Sequence, residues 1–169
     1  MKIGNKVFDF TKDHTYVMGI LNVTPDSFSD GGKFNEKDKA LYHVEQMINE
    51  GADIIDVGGE STRPGYQKIS IEEEITRVTG MLEAIKARFD IPVSIDTYKA
   101  PVMKEALNAE VLPDYLHSFL QIRHRDLREE GTLVTTVLAA KEHWNMVRVH
   151  DVKKNVRAIK MMEKIMHKI

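Results

Sequence analysis

One pattern restricts this chain more than any other: a short apolar run that stops abruptly in a polar stretch, repeated with a helical period between repeats. Tyr16 to Leu21 runs into Asn22-Val-Thr-Pro-Asp-Ser-Phe-Ser-Asp-Gly-Gly32. Asp53-Ile-Ile-Asp-Val57 runs into Gly58-Gly-Glu-Ser-Thr-Arg-Pro-Gly65, and Pro92-Val-Ser-Ile-Asp-Thr97 places Asp96 near its end. Runs this short and this apolar read as strands covered on both faces, as in a parallel sheet. Pro25 and the Gly31-Gly32 pair stop the first strand from continuing.

Amphipathic helices fit between the strands. Ala40, Leu41, Val44, Met47 and Ile48 share one face of a helix expected from Glu36 to Glu50, with Asn35 as N-cap and Gly51 as C-cap. Ser70-Ile-Glu-Glu73 has the form of a capping box, followed by Ile71, Ile75, Val78, Leu82, Ile85 and Phe89 at helical spacing. Pro101 suits the first turn of a third helix reaching about Leu107. Strand and helix thus alternate three times, which argues for an α/β fold with a parallel sheet. Residues 2 to 10 alternate weakly and are expected to form a short hairpin or cover strand.

Past Asn108 the pattern changes. Asp114 to Glu130 reads as a helix interrupted by Gly131, and Thr132 to Lys141 as another. Trp144 leads into a strand, Met146 to His150, and Asp151 can cap a last helix carrying Val152, Val156, Ile159, Met162 and Ile165. His143 is expected at the surface, and the methionines of the last helix in the core.

Side chains alternate along a strand, so Met18, Ile20 and Asn22 share a face. So do Ile54 and Asp56, Ser94 and Asp96, and Arg148 and His150. Polar groups therefore gather at the C-terminal ends of adjacent strands, where parallel α/β folds bind ligands. Amide, hydroxyl and carboxylate oxygens at that end suit an oxygen-rich ligand or a hard metal ion. Asp96 could instead be a structural carboxylate, and Arg148 and His150 an inward ion-pair network. Asp56 is expected to support its neighbours rather than meet a ligand.

The bulk properties exclude several functions. The 169 residues carry a formal charge of −2 and no cysteine, so no thiolate metal site or disulfide is possible and nothing points to nucleic acid or a membrane surface. No apolar run approaches the roughly 20 residues of a membrane span. The N-terminus lacks the apolar core of a secretion signal, so a cytoplasmic location is expected.

Asn22 to Gly32 and Gly58 to Gly65 resemble the first two loops of the dihydropteroate synthase family. Ser94-Ile-Asp-Thr97 and Arg148-Val-His-Asp-Val152 resemble the ends of its third and last strands. The resemblance covers residues 1 to about 108 and about 126 to 169, leaving 109–130 as a junction within one domain, 1–169. It implies a TIM barrel that joins 6-hydroxymethyl-7,8-dihydropterin diphosphate to para-aminobenzoate, giving dihydropteroate and diphosphate for folate biosynthesis. By resemblance, Asn22 binds Mg2+ on the diphosphate, Asp96 recognises the pterin, and Thr62 lies on the same ligand site. Arg63 holds the anionic substrates and acts with Asp96 in catalysis, while Arg148 and His150 grip phosphate oxygens.

A full barrel needs about 250 residues and eight strands. Only about four βα units are legible here, equivalent to family strands 1–3 and 8. An incomplete barrel is therefore expected, its retained strands contiguous in the order last, first, second, third. Two open edges would follow, covered by residues 109–130 or by a second copy in a homodimer. The alternative function is an inactive homologue that at most binds pterin diphosphate or another anion.

Overall fold

The computed structural model describes residues 2–3, 6–11, 14–24, 33–60, 67–108, 112–113 and 128–167. Lys2–Ile3 (β1) and Lys6–Val7 (β2) pair antiparallel as the expected hairpin. The sheet proper comprises Tyr16–Asn22 (β3), Ile54–Gly58 (β4), Val93–Asp96 (β5), Leu112–Pro113 (β6) and Met146–Val149 (β7). All its pairings are parallel, in the order β6-β5-β4-β3-β7. The last strand thus lies beside the first, the arrangement a barrel requires where it closes.

The helices are Lys33–Glu50 (α1), Ile71–Arg88 (α2), Ala100–Asn108 (α3), Arg128–Lys141 (α4) and Val152–Met166 (α5). They follow the strands in space: α3 packs on α2, α2 on α1, α1 on α5 and α5 on α4. The result is an incomplete (β/α) barrel with helices along its outer face.

The outer core is the face that carries Val17, Leu21, Ile55, Val57, Ile95, Val147 and Val149, packed against Val44, Met47, Val78, Leu82, Ile85, Val152 and Ile159 of the helices. Gly19 shares that face. A Cβ there would stand 2.8 Å from Met47 Sδ and 3.1 Å from Val152 Cγ2, so the missing side chain lets α1 and α5 seat on β3. On the opposite, inner face a smaller cluster joins Phe8, Tyr16, Met18 and Ile54. Phe8 is fully buried and meets Tyr16 edge-on, with ring centroids 4.8 Å apart. Lys6 pairs with Asp53 Oδ1 at 2.7 Å, while Asp53 Oδ2 accepts from Val17 N at 2.8 Å. The hairpin segment therefore covers the inner face at the N-terminal end of the sheet.

Most expected elements occur where the pattern placed them. Ser70 caps α2 by accepting from Glu73 N, and Asp151 caps α5 by accepting from Lys154 N. Gly51 takes the left-handed φ of 103° wanted after α1. His143 is exposed, as expected.

Four readings need correction. Helix α1 starts at Lys33, so Asn35 lies inside it rather than capping it; nothing in Lys33-Phe-Asn35 opposes helix once the glycines end. Gly131 does not interrupt a helix, because α4 runs through it from Arg128; one helical glycine costs only about 1 kcal/mol, which packing on α5 offsets. Met161 is exposed rather than in the core, and Ile165 is exposed too, because the buried side of α5 carries Val152, Asn155, Val156 and Ile159, with Met162 packed at its margin. Beyond β5, the two-residue β6 adds a strand that the pattern did not show. The helix expected from Asp114 lies mostly outside the described residues.

Candidate functional site

At the C-terminal end of the inner face, three strands present polar side chains at two successive levels, Asp56 with Ser94 below and Asn22 with Asp96 above. The pairing sets Asp56 opposite Ser94, Gly58 opposite Asp96 and Asn22 opposite Gly58. Gly58 has no side chain to separate its neighbours. A Cβ on it would lie 3.3 Å from Asn22 Oδ1 and 3.8 Å from Asp96 Cβ, so Asn22 and Asp96 flank one bare stretch of backbone.

Arg148 reaches into this cluster from β7. Its Nε donates to Asp56 Oδ2 at 2.7 Å, and a terminal nitrogen lies 2.6 Å from both Asp56 Oδ2 and Asp96 Oδ2. Ser94 Oγ donates to Asp56 Oδ1 at 2.6 Å. Asp56 is completely buried, whereas the Asp96 and Arg148 side chains retain 17% and 25% of their exposure. Asp56 thus anchors Arg148 from below, and Arg148 in turn orients Asp96 at the open level. The inward ion pair foreseen as an alternative for Arg148 is present, and it includes Asp96.

His150 follows β7 and is exposed. It lines an open cleft of about 620 Å³ with Lys153 and Lys154 of α5, Glu129 and Thr132 of α4, and His43 of α1. Lys154 is ion-paired there with Glu129, and also with Asp151. Thr62 and Arg63 lie outside the described residues.

Among the described residues, no three His, Cys, Asp or Glu side chains converge as a metal cage. Magnesium does not require one: it keeps several waters and takes one or two protein oxygens plus substrate phosphates. Asn22 Oδ1 stands at the strand end, across Gly58 from Asp96.

A second polar cluster escaped the sequence reading. Lys99 Nζ lies 2.5 Å from Glu60 Oε2, 2.7 Å from Glu74 Oε2 and 2.9 Å from the Ile69 carbonyl oxygen. Tyr98 OH donates to Glu60 Oε1 at 2.6 Å, and Thr97 Oγ1 to Glu74 Oε1 at 2.7 Å. Burial disfavours the charge on Lys99, but hydrogen bonds and attraction from Glu60 and Glu74 outweigh it and push its pKa above the ordinary value. Burial likewise raises Glu60, yet its bonds to Lys99, Tyr98 and Ile69 hold it below the ordinary value. One signal was available: Glu74 occupies the buried stripe of α2 one turn before Val78, where a carboxylate needs a cation.

Residues 18–119 match the family described as pterin binding enzyme. The chain belongs to the pterin binding enzyme family. It is 66% identical over 109 residues to the dihydropteroate synthase of Clostridium beijerinckii, covering 64% of this chain and 40% of that one. It is 58% identical over 98 residues to the dihydropteroate synthase of Bacillus subtilis, covering 58% and 34% respectively. The crystal structure of dihydropteroate synthase from Clostridium difficile in the presence of pteroic acid superposes with a TM-score of 0.76 at 29% identity, the match covering 98% of each chain. The sequence matches span only 34–40% of the relatives' length. The family resemblance is thus shown over a match that spans the two loops and the third strand end but not Arg148 to Val152, and the parallel sheet places this pterin-binding-family chain on the barrel fold.

Proposed function

We propose that this chain carries out dihydropteroate synthase chemistry: condensation of 6-hydroxymethyl-7,8-dihydropterin diphosphate with para-aminobenzoate. The observation that carries this reading is the Asp56–Arg148–Asp96 cluster beside Asn22 at the ligand end of the inner face. Asp96 would accept from the amino and ring N–H groups of the pterin, its carboxylate held in place by Arg148. In the reaction the amine nitrogen of para-aminobenzoate bonds to the pterin methylene carbon. The carbon–oxygen bond to diphosphate breaks with its electron pair going to oxygen, and the amine gives up a proton to solvent. Positive groups near the leaving oxygens lower the barrier most, because the charge develops there. His150, Arg148 and Arg63 are the proposed sources, and Thr62 is proposed on the pterin side. Asn22 would hold Mg2+, which when bound supplies further positive charge to the diphosphate.

The double ion pair of Arg148 favours one second reading, a chain that binds pterin diphosphate without turnover, since Asp56 and Asp96 offset its charge. Association of two copies is proposed as well. Among the described residues, β6 and β7 each pair on one side only, and edges left open favour pairing with another chain.

The test is diphosphate release from the pterin substrate with para-aminobenzoate and magnesium, repeated across protein concentrations. Turnover is expected, rising faster than linearly with protein, and Asp96→Asn should abolish it. A folded chain that releases no diphosphate but still binds the pterin substrate would establish the second reading.

A further inference from the structure

We propose that Arg148 is shared between the two ends of the site, so that a pterin on Asp96 and a diphosphate strengthen each other's binding through it. This rests on the reading above, in which Asp96 accepts from the pterin. The strand pairing sets three levels on the inner face. Arg148 stands opposite Met18 at the lowest, Asp56 lies beside Ser94 at the next, and Asp96 is level with Gly58 and Asn22 at the top. The Arg148 side chain climbs through these levels as it crosses from β7 past β3 to β4 and β5. Its Nε donates to Asp56 Oδ2 at the middle level, at 2.7 Å, and a terminal nitrogen to Asp96 Oδ2 at the top level, at 2.6 Å.

The two contacts differ in what can replace them. Asp56 is completely buried, so withdrawing the guanidinium from it would strand a charge away from water. Asp96 stands at the open level with 17% of its side chain exposed. There Arg148 keeps the carboxylate in place until the amino and ring N–H groups of a pterin take over. Those two donors lie on one planar edge that engages both carboxylate oxygens, Oδ2 included. The terminal nitrogen then swings off Asp96 while Nε keeps its bond to Asp56. The guanidinium is left with one carboxylate instead of two, and the N–H that it withdraws is presented to a phosphate oxygen. Each ligand supplies the partner that the other removes, and coupling of this kind is reciprocal. A lysine is unsuited to the task, because an ammonium lacks a second, offset nitrogen to stay on Asp56 while the first moves.

The test is the dissociation constant of inorganic diphosphate, measured by calorimetry at constant magnesium. It is taken with and without saturating 6-hydroxymethyl-7,8-dihydropterin, the alcohol that lacks the diphosphate. Diphosphate should bind roughly tenfold more tightly with the pterin present, and the pterin should respond to diphosphate by the same factor. Asp96→Asn removes one of the two carboxylate charges on Arg148. It should tighten diphosphate alone to about the affinity that the wild-type chain reaches with the pterin. Arg148→Lys should still bind diphosphate, with the coupling gone. Equal diphosphate affinity with and without the pterin in the wild-type chain, or coupling that persists in Arg148→Lys, would overturn the sharing. So would an Asp96→Asn chain that binds diphosphate no better than the wild type, and this arm decides where Arg148→Lys does not fold. A wild-type chain that binds diphosphate but not the pterin alcohol would sink the functional reading, while the Asp96→Asn comparison still decides whether Asp96 holds Arg148 back from an anion.

Discussion

Asp56 meets no solvent, yet it holds two donors, Ser94 and Arg148. Removing its charge takes one carboxylate partner from the partly buried Arg148 guanidinium and leaves the fully buried Asp56 site short of its ion pair. Asp56→Asn should therefore destabilise the chain by about 3 kcal/mol, read as a lower urea midpoint at unchanged slope. Two glycines offer a sharper contrast. Gly59→Ala drives a methyl into Val78, a β-branched side chain with little rotamer freedom, and should cost about 2 kcal/mol. Gly19→Ala meets first the flexible Met47 thioether and should cost less in the same measurement. The sequence made the inner-face residues readable because strand alternation alone assigns Asn22, Asp56, Ser94, Asp96 and Arg148 to one side. It did not make Glu60 and Lys99 readable, since both lie past their strands and meet only because β4 and β5 pair side by side.

Helices in this chain are specified locally at their ends and tertiarily along their length. The Ser70 hydroxyl satisfies one backbone N–H that α2 leaves open, with Glu72, Glu73 and Glu74 favourably placed in the same first turn. Ser70→Ala should cost about 1 kcal/mol in urea unfolding, with Ser70→Asp restoring most of it. These caps were legible because four residues suffice to define them. The course of α4 through Gly131 was not, because its support comes from α5. Thr136 Oγ1 donates to the buried Asn155 Oδ1 at 2.7 Å, a contact between the two helices that periodicity does not reveal.

For the molecule as a whole, the Lys99 cluster sets an acid limit. Glu60 sits below its ordinary pKa of 4.5, so its contribution is full above that value and fades as pH falls through the lower folded value. Lys99 sits above its ordinary 10.5, so its contribution is full below 10.5 and is lost only at still higher pH. Stability from this cluster should be level from about pH 5 to pH 10 and decline below about pH 4.5. Urea midpoints recorded down that acid limb should fall less steeply in Lys99→Met than in the wild-type chain.

The placement of β7 beside β3 also orders events in time. Thr15 Oγ1 donates to the Trp144 carbonyl at 2.9 Å across 129 residues of sequence, and Tyr16 N to Asn145 O at 2.9 Å. Contacts so distant along the chain slow folding, because the intervening loop must close before they form. On the ribosome, β3, β4 and β5 emerge well before β7, the strand that completes one flank of β3. Until then that flank is bare, and the nascent chain spends its synthesis in its most aggregation-prone form.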